Sequence, residues 1–263
     1  MLNITKMLTE FDSYGDKLRY NKKCKENKYG VRSGLGPVVV WNCTGKCNLK
    51  CKHCYSNAVK EEKQGVLTTE EALELIDDLS SFNVPVLLLS GGEPLMRKDI
   101  FTLIKKARDE DIRVVISTNG TLLDETTVTK LKEFGVSYVG VSIDGLAKTN
   151  DEFRGVKGSF DKALQGIRNC HTVSQKVGLR FTINQKNYQE IDDIFKLIEK
   201  ENIPRICFYH LVYSGRGKEL KSFALDNLEK RKVLDKIINW AQKFIDKEDP
   251  REILTVDNHA DAA

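Results

Sequence analysis

Beyond residue 36 the chain alternates short apolar runs with longer stretches in which apolar residues recur every three or four positions. The short runs read as strands buried on both faces, and the longer ones as amphipathic helices. Pro37 to Asn42 predicts a first strand, and Thr68 with Glu71 gives a capping-box signature for a helix over Thr69 to Phe82. Val86 to Leu89 is the next strand, and Asp99 is expected to cap the helix after it. The series continues with strand Arg113 to Ser117, helix Glu125 to Phe134, strand Tyr138 to Ile143, helix Phe160 to Ser174 and strand Gly178 to Ile183. Asn187, with Glu190 at the capping-box offset, opens a further helix; strand Arg205 to His210 and a helix from about Leu228 to Asp246 complete it. Six strand–helix units in regular alternation predict a parallel sheet with right-handed crossovers, hence an α/β fold of the partial (β/α)6 TIM-like barrel kind. The organisation expected is a polar, basic arm over 1–36, a core over 37–246 and a tail over 247–263.

The unusual residues fall where such a fold assembles sites. Cys47 to Cys54, Ser90-Gly91-Gly92-Glu93-Pro94, Ser117-Thr118-Asn119-Gly120, Ser142-Ile143-Asp144-Gly145 and His210 to Gly217 all lie at or just beyond strand C-termini. In a parallel barrel those ends form one face. Glycine after a strand is ordinary turn chemistry, so the weight rests on five such segments sharing a rim.

Composition narrows the setting. A net charge of +4 with 30% charged residues describes a solvated surface, which neither calls for nucleic acid nor excludes an acidic substrate. No apolar stretch approaches the roughly 20 residues that cross a bilayer, and the seven cysteines, an odd number, follow no N-terminal apolar signal. A soluble protein of the reducing cytoplasm is expected, with neither nucleic acid nor membrane as partner. Lys17, Arg19, Lys22, Lys23 and Lys25 read as a solvated leader in preference to a substrate-binding arm.

Three cysteines in CNLKCKHCY, Cys47, Cys51 and Cys54, carry the candidate chemistry. An iron–sulfur cubane takes four thiolates, so three leave one iron open to a small molecule. A structural zinc site would need a fourth ligand at finger spacing, and none follows. A catalytic zinc on two of these cysteines and His53 stays open. Cys43 alternates with the apolar residues of the first strand and reads as part of it, whereas Cys24, Cys170 and Cys207 read as buried small hydrophobes.

CxxxCxxC after the first strand and GGEP after the second resemble the radical S-adenosylmethionine (SAM) superfamily over roughly residues 37 to 210. That resemblance implies the radical SAM type of partial barrel and a [4Fe–4S] cluster on Cys47, Cys51 and Cys54. SAM would chelate the fourth iron and be cleaved reductively to methionine and a 5′-deoxyadenosyl radical. Under it, Gly91 and Gly92 bring backbone close to the ligand, Glu93 pairs with a cationic amino group and Pro94 fixes the turn. Asn119 and Ser142 suit ribose hydroxyls, although Asn-Gly is also a stock turn pair. Asp144 either orients the rim or caps the turn at Gly145. Arg180 meets the SAM carboxylate or a structural salt bridge. His53 faces the adenine through its backbone, and Tyr55 shields the cluster.

Within the superfamily, Phe208 to Gly217, Leu18-Arg19-Tyr20, Pro37 to Asn42 and Val256 to Asp261 resemble the AhbC, AhbD and NirJ group of alternative haem biosynthesis. This implies an iron tetrapyrrole substrate derived from sirohaem, removal of acetate or propionate side-chain fragments, and flavodoxin or ferredoxin as electron donor. Arg216 would bind a substrate carboxylate, and His210, Tyr209 and Tyr213 would face the haem or donate protons. Core packing is the competing reading for Tyr209 and His210. Many relatives continue into a cysteine-rich C-terminal region, whereas no cysteine follows Cys207 and the chain stops at Ala263, so it is a fragment or a form without a second cluster. Two rivals remain: a radical SAM enzyme that crosslinks or epimerises a peptide, and a non-catalytic iron–sulfur or zinc scaffold.

Overall fold

Strand β2 (Val39–Thr44) begins a sheet that grows by parallel addition through β3 (Val86–Gly91), β4 (Arg113–Thr118), β5 (Tyr138–Ser142), β6 (Val177–Ile183), β7 (Arg205–His210) and β8 (Glu252–Val256). The computed structural model describes residues 2–10, 36–62 and 64–256. The basic residues Lys17 to Lys25, Leu18-Arg19-Tyr20, Cys24 and Asp257 to Asp261 lie outside the described residues. A two-residue strand, β1 (Leu2–Asn3), pairs antiparallel with β8, so the eight-stranded sheet runs β1-β8-β7-β6-β5-β4-β3-β2. The six predicted strands are present. The seventh parallel strand lies within the expected tail, and β1 with the short α1 (Ile4–Leu8) within the expected arm. Thr5 ties the two together, its hydroxyl donating to the Arg251 carbonyl at 2.6 Å and accepting from the Ile253 amide at 3.1 Å.

Helices α2 (Thr69–Ser81), α3 (Ile100–Asp109), α4 (Glu125–Glu133), α5 (Ala147–Arg154), α6 (Ser159–Thr172), α7 (Ile191–Lys200) and α8 (Asn227–Asp246) connect the strands. The Thr68–Glu71 capping box forms as expected, and α8 gains its own from Asp226 and Glu229. Two start signals act differently. Asp99 precedes α3 without capping it, because its carboxylate is taken by Arg97 and Thr69. Asn187 and Glu190 form no capping box: Asn187 donates to the Asp144 and Thr182 carbonyls, and Glu190 reaches the Leu146 amide and Thr149. A 3-10 turn, Tyr188–Glu190, therefore leads into α7.

Strand alternation divides the sheet into a packed face and a cavity face. On β6, Leu179, Phe181 and Ile183 belong to the helix-side core, while Arg180 and Thr182 line a cavity. On β7, Ile206 and Phe208 pack outward and Tyr209 faces the same cavity. The outer layer is dense with aromatics: Phe195 of α7 stacks on Trp240 of α8 at 5.3 Å between centroids and touches Phe208 and Phe244. Cys170 and Cys207 are buried, as read, and Cys43 sits on β2 with its thiol donating to the Ser90 carbonyl at 3.4 Å. Among the described residues no helix is long and apolar enough to cross a membrane.

Candidate functional site

The C-terminal ends of the strands and the loops beyond them enclose a cavity of roughly 390 Å³. All five predicted segments contribute to its wall: the three cysteines, Ser90 to Gly92, Ser117 to Asn119, Ser142, and His210 with Arg216.

The cysteines occupy a long loop after β2 that has little regular structure, so its shape comes from single bonds within it and to neighbouring segments. At its base, Glu62 accepts from the Thr44 hydroxyl (2.5 Å) and the Gly45 amide (2.9 Å), and the Cys47 amide donates to the Val59 carbonyl at 2.7 Å. The turn after β3 crosses this base: Gly92 N–H donates to Thr44 O at 2.8 Å and Glu93 N–H to Lys46 O at 2.7 Å. A Cβ on Gly92 would fall on the Lys46 carbonyl, and Gly91, at φ +128°, would place one against the Thr44 carbonyl. The two glycines thus permit a backbone-to-backbone contact with the cysteine loop while also lining the cavity.

Each cysteine sulfur has a hydrogen-bond donor close by. Leu49 N–H lies 3.4 Å from Cys47 Sγ, Ala58 N–H 3.3 Å from Cys54 Sγ, and Arg154 Nη1 3.8 Å from Cys51 Sγ. Burial pushes the Cys47 thiol up to about 11 and raises Cys51, against which the Arg154 charge is the strongest opposing influence. Cys54 is also partly buried, but bonds from Ser56 and the Ala58 amide hold its thiol below the ordinary range. Among the described residues no group of three or more Cys, His, Asp or Glu side chains is gathered closely enough to hold a single ion. Three sulfurs on one cavity, each with a donor that stabilises thiolate, fit a cluster in which every thiolate binds its own iron.

Behind the loop stands a buried charge group. Asp144 is fully buried; one carboxylate oxygen accepts from the Thr182 amide at 2.7 Å, and the other meets Arg154 and lies 3.3 Å from His53 Nε2. Its carboxylate ties β6, the end of α5 and the cysteine loop together. The His53 ring lies flat on Phe153 at 4.4 Å, and burial lowers it to about 4, so it is neutral at pH 7. Arg154 and Phe153 end α5, a helix absent from the sequence reading. Its residues are mostly polar, so no apolar periodicity announces it; the signal available was Gly155 at the left-handed C-terminal position directly after Phe153-Arg154.

Several expected ligand-facing residues hold the frame instead. Glu93 lies behind the cavity wall, fully buried. It accepts from the Leu95 amide (3.2 Å), the Thr118 hydroxyl (2.8 Å) and the Asn119 amide (2.8 Å), and burial pushes its carboxyl up to about 7. It braces the β3 turn against the end of β4 rather than presenting its charge to a ligand. Pro94, buried beside it, starts a 3-10 turn. Asn119 lines the cavity, but its amide donates to Asn48 and accepts from Thr121, which secures the turn. Arg216 also lines the cavity, yet Nε donates to Cys51 O and Nη1 to Ala58 O, both at 2.8 Å. Two of the three guanidinium nitrogens are thus tied to the cysteine loop.

Arg180 projects into the cavity with its guanidinium over the Tyr209 ring at 4.5 Å, an aromatic partner rather than a salt bridge. Gly140 on the adjacent strand makes the room, since a Cβ there would come within 2.9 Å of Arg180 Cδ. Ser142 stands in register with Arg180, and Thr182, missed from sequence, lines the same wall. Tyr55 closes the rim with its hydroxyl donating to Asn42 Oδ1 at 2.9 Å. His210 lines the cavity and also two smaller recesses, whereas Tyr213 is 43% exposed and borders only the smallest of these.

The family model for the radical SAM superfamily matches residues 41–198. Fe-coproporphyrin III synthase of Methanosarcina barkeri (strain Fusaro) is 52% identical over 264 residues, covering 99% of this chain and 66% of that protein. Pre-heme d1 synthase of Dinoroseobacter shibae is 43% identical over 227 residues, covering 86% of this chain and 56% of its own length. The chain therefore spans somewhat under two thirds of the relatives it matches. Among solved structures, SuiB of Streptococcus suis bound to S-adenosylmethionine superimposes with a TM-score of 0.73 at 19% identity, over 86% of this chain and 51% of that one, a likeness of fold.

Proposed function

The chain belongs to the radical SAM superfamily, enzymes that use a [4Fe–4S] cluster and SAM, and from that premise we propose that it removes acetate or propionate fragments from a sirohaem-derived iron tetrapyrrole in the cytoplasm. The observation that carries the substrate class is the 52% identity to Fe-coproporphyrin III synthase along 99% of the chain, since likeness confined to the cluster motif would name only the superfamily.

Cys47, Cys51 and Cys54 hold the cluster, and Gly91 and Gly92 present backbone to the amino-acid end of SAM. Bound there, the cluster and SAM would supply one-electron radical chemistry. Ser142 and Thr182 offer hydroxyls on the wall where a nucleoside lies, and Arg180 supplies the cation for the SAM carboxylate. Tyr55, itself exposed, covers part of the cavity mouth with its hydroxyl held by Asn42. Tyr209 and His210 stand at the end of β7, where the substrate edge approaches. Positioning one C–H bond is their task. Flavodoxin or ferredoxin delivers the electron.

The test is anaerobic turnover with SAM, dithionite and didecarboxysirohaem, following 5′-deoxyadenosine and tetrapyrrole mass together. Cleavage coupled to loss of acetate or propionate mass is expected. Cleavage with an unchanged tetrapyrrole would overturn the substrate, and no cleavage by a fully loaded protein would overturn the enzymatic reading.

A further inference from the structure

Arg154 and Asp144 form an ion pair in which the side chains are 9% and 0% exposed, a costly arrangement unless the charges serve some purpose. The guanidinium is shared. One terminal nitrogen meets Asp144 and the other lies 3.8 Å from Cys51 Sγ, so the positive group stands between carboxylate and sulfur. Its distance from the sulfur is set by backbone on both sides of Cys51: Lys50 N–H donates to Arg154 O at 3.2 Å, and Lys52 N–H to Phe153 O at 2.9 Å. Gly155, at φ +73°, lets α5 end against the Lys50 carbonyl, where a Cβ would collide. The Phe153 ring carries His53, two residues beyond Cys51. Together these bonds and contacts lock one end of α5 to one cysteine.

We infer that Arg154 is a positioning residue that holds a positive charge at a fixed distance from the Cys51 ligand, so that the bound cluster accepts an electron more readily, and that Asp144 opposes it and sets how far. This rests on the reading of the three cysteines as cluster ligands. Reduction adds one negative charge to the cluster, with the electron coming from an external low-potential donor such as dithionite and no bond changing at Arg154. In a buried, weakly screened site a nearby cation favours that reduced state and a nearby carboxylate disfavours it. Arg154, being the closer, prevails.

The full chain would be reconstituted anaerobically as wild type, Arg154→Gln, Arg154→Lys and Asp144→Asn. Iron and sulfide would be counted, and the midpoint potential read by EPR during titration with dithionite. Arg154→Gln is expected to shift the reduction equilibrium against the reduced form at least tenfold, about 59 mV negative for one electron. Asp144→Asn should move it the other way, and Arg154→Lys should remain nearer wild type than Arg154→Gln. Opposite signs for the two neutralising changes are the signature, because damage to packing would move both alike. Shifts of the same sign, or fully loaded variants with unmoved potentials, would overturn the inference. Should Arg154→Gln take up no iron, a positive shift in Asp144→Asn with wild-type behaviour in Arg154→Lys still supports it, and an unmoved Asp144→Asn sinks it. A wild type that binds neither iron nor sulfide would instead overturn the cluster reading beneath it.

Discussion

An Arg216→Gln change separates two roles for the same residue. The arginine side chain donates from Nε to Cys51 O and from Nη1 to Ala58 O, and its own amide donates to Cys54 O at 3.0 Å. The variant would keep the amide bond and lose both guanidinium bonds. A charged donor to a neutral carbonyl is worth about 1.5–3 kcal/mol in burial, and partial exposure brings each nearer 1–1.5 kcal/mol, so the loop loses about 2–3 kcal/mol. Local opening between Cys51 and Ala58 should then become about 30- to 150-fold more frequent. The assay is the rate at which a chelator removes iron from the reconstituted protein, with amide exchange of the loop as a parallel readout. Both should rise by that factor, and equally with and without tetrapyrrole. Arg216→Lys should recover little, because a single ammonium cannot donate along two diverging directions. Chelation within about threefold of wild type, together with a raised KM for the tetrapyrrole, would refute the clamp and restore Arg216 as a carboxylate binder.

Three further outcomes rest on the same geometry. Gly92→Ala places a methyl group on the Lys46 carbonyl and breaks the paired bonds to Thr44 and Lys46; it should cost about 2–4 kcal/mol by urea unfolding and lower iron uptake, and uptake equal to wild type would count against the contact. Glu93 has a folded value raised to about 7 from 4.5, so its contribution to stability is present below 4.5 and lost as pH rises through 7. Between those limits the stability of wild type relative to Glu93→Gln should fall by up to about 3 kcal/mol, measured on metal-free protein, and a flat difference would show the carboxylate to be ionised throughout. Phe195→Ala removes the hub of the α7–α8 aromatic layer; about 3–5 kcal/mol of destabilisation is expected, with the cavity and the potential of any bound cluster unchanged, since the ring lies on the opposite face of the sheet.

The elements legible in the sequence were those whose burial imposes a period. Val86 to Leu89 buries Leu87 and Leu89 on the helix side with Val86 and Leu88 half-buried on the other, Tyr138 to Ile143 is buried almost throughout, and the helices between them carry apolar stripes where they meet the sheet. Helix α5 escaped because little of it faces the core: Asn150, Phe153 and Arg154 are its buried residues, and two of the three are polar. Strand β8 escaped for another reason. Its burial depends on β7 on one side, 47 residues away, and on Thr5 and β1 on the other, about 250 residues away, contacts that no local window contains. Of the expected site residues, spacing singled out the three cysteines and chemical type alone singled out Arg180, and all four line the cavity. Type could not show that Glu93 is enclosed by donors behind the cavity wall, or that two nitrogens of Arg216 are tied to backbone carbonyls.

Those two residues expose the general difficulty of the cysteine loop. It has little regular structure of its own, and a loop free to wander would lose that ordering entropy when a cluster assembled. Instead it is gripped from three independent parts of the chain: the Gly92–Glu93 turn at its base, the end of α5 at Lys50 and Lys52, and Arg216 across Cys51 and Ala58. Each grip comes from the connection after a different strand, β3, β5 and β7, so the loop reaches its shape only once the sheet has formed from β2 to β7. Cluster assembly should therefore follow folding of the barrel rather than nucleate it. A chain halted after β6 would keep its cysteines and its glycine turn and still lack the clamp on Cys51 and Ala58, and its iron uptake should fall well below that of the full chain even where its strands form.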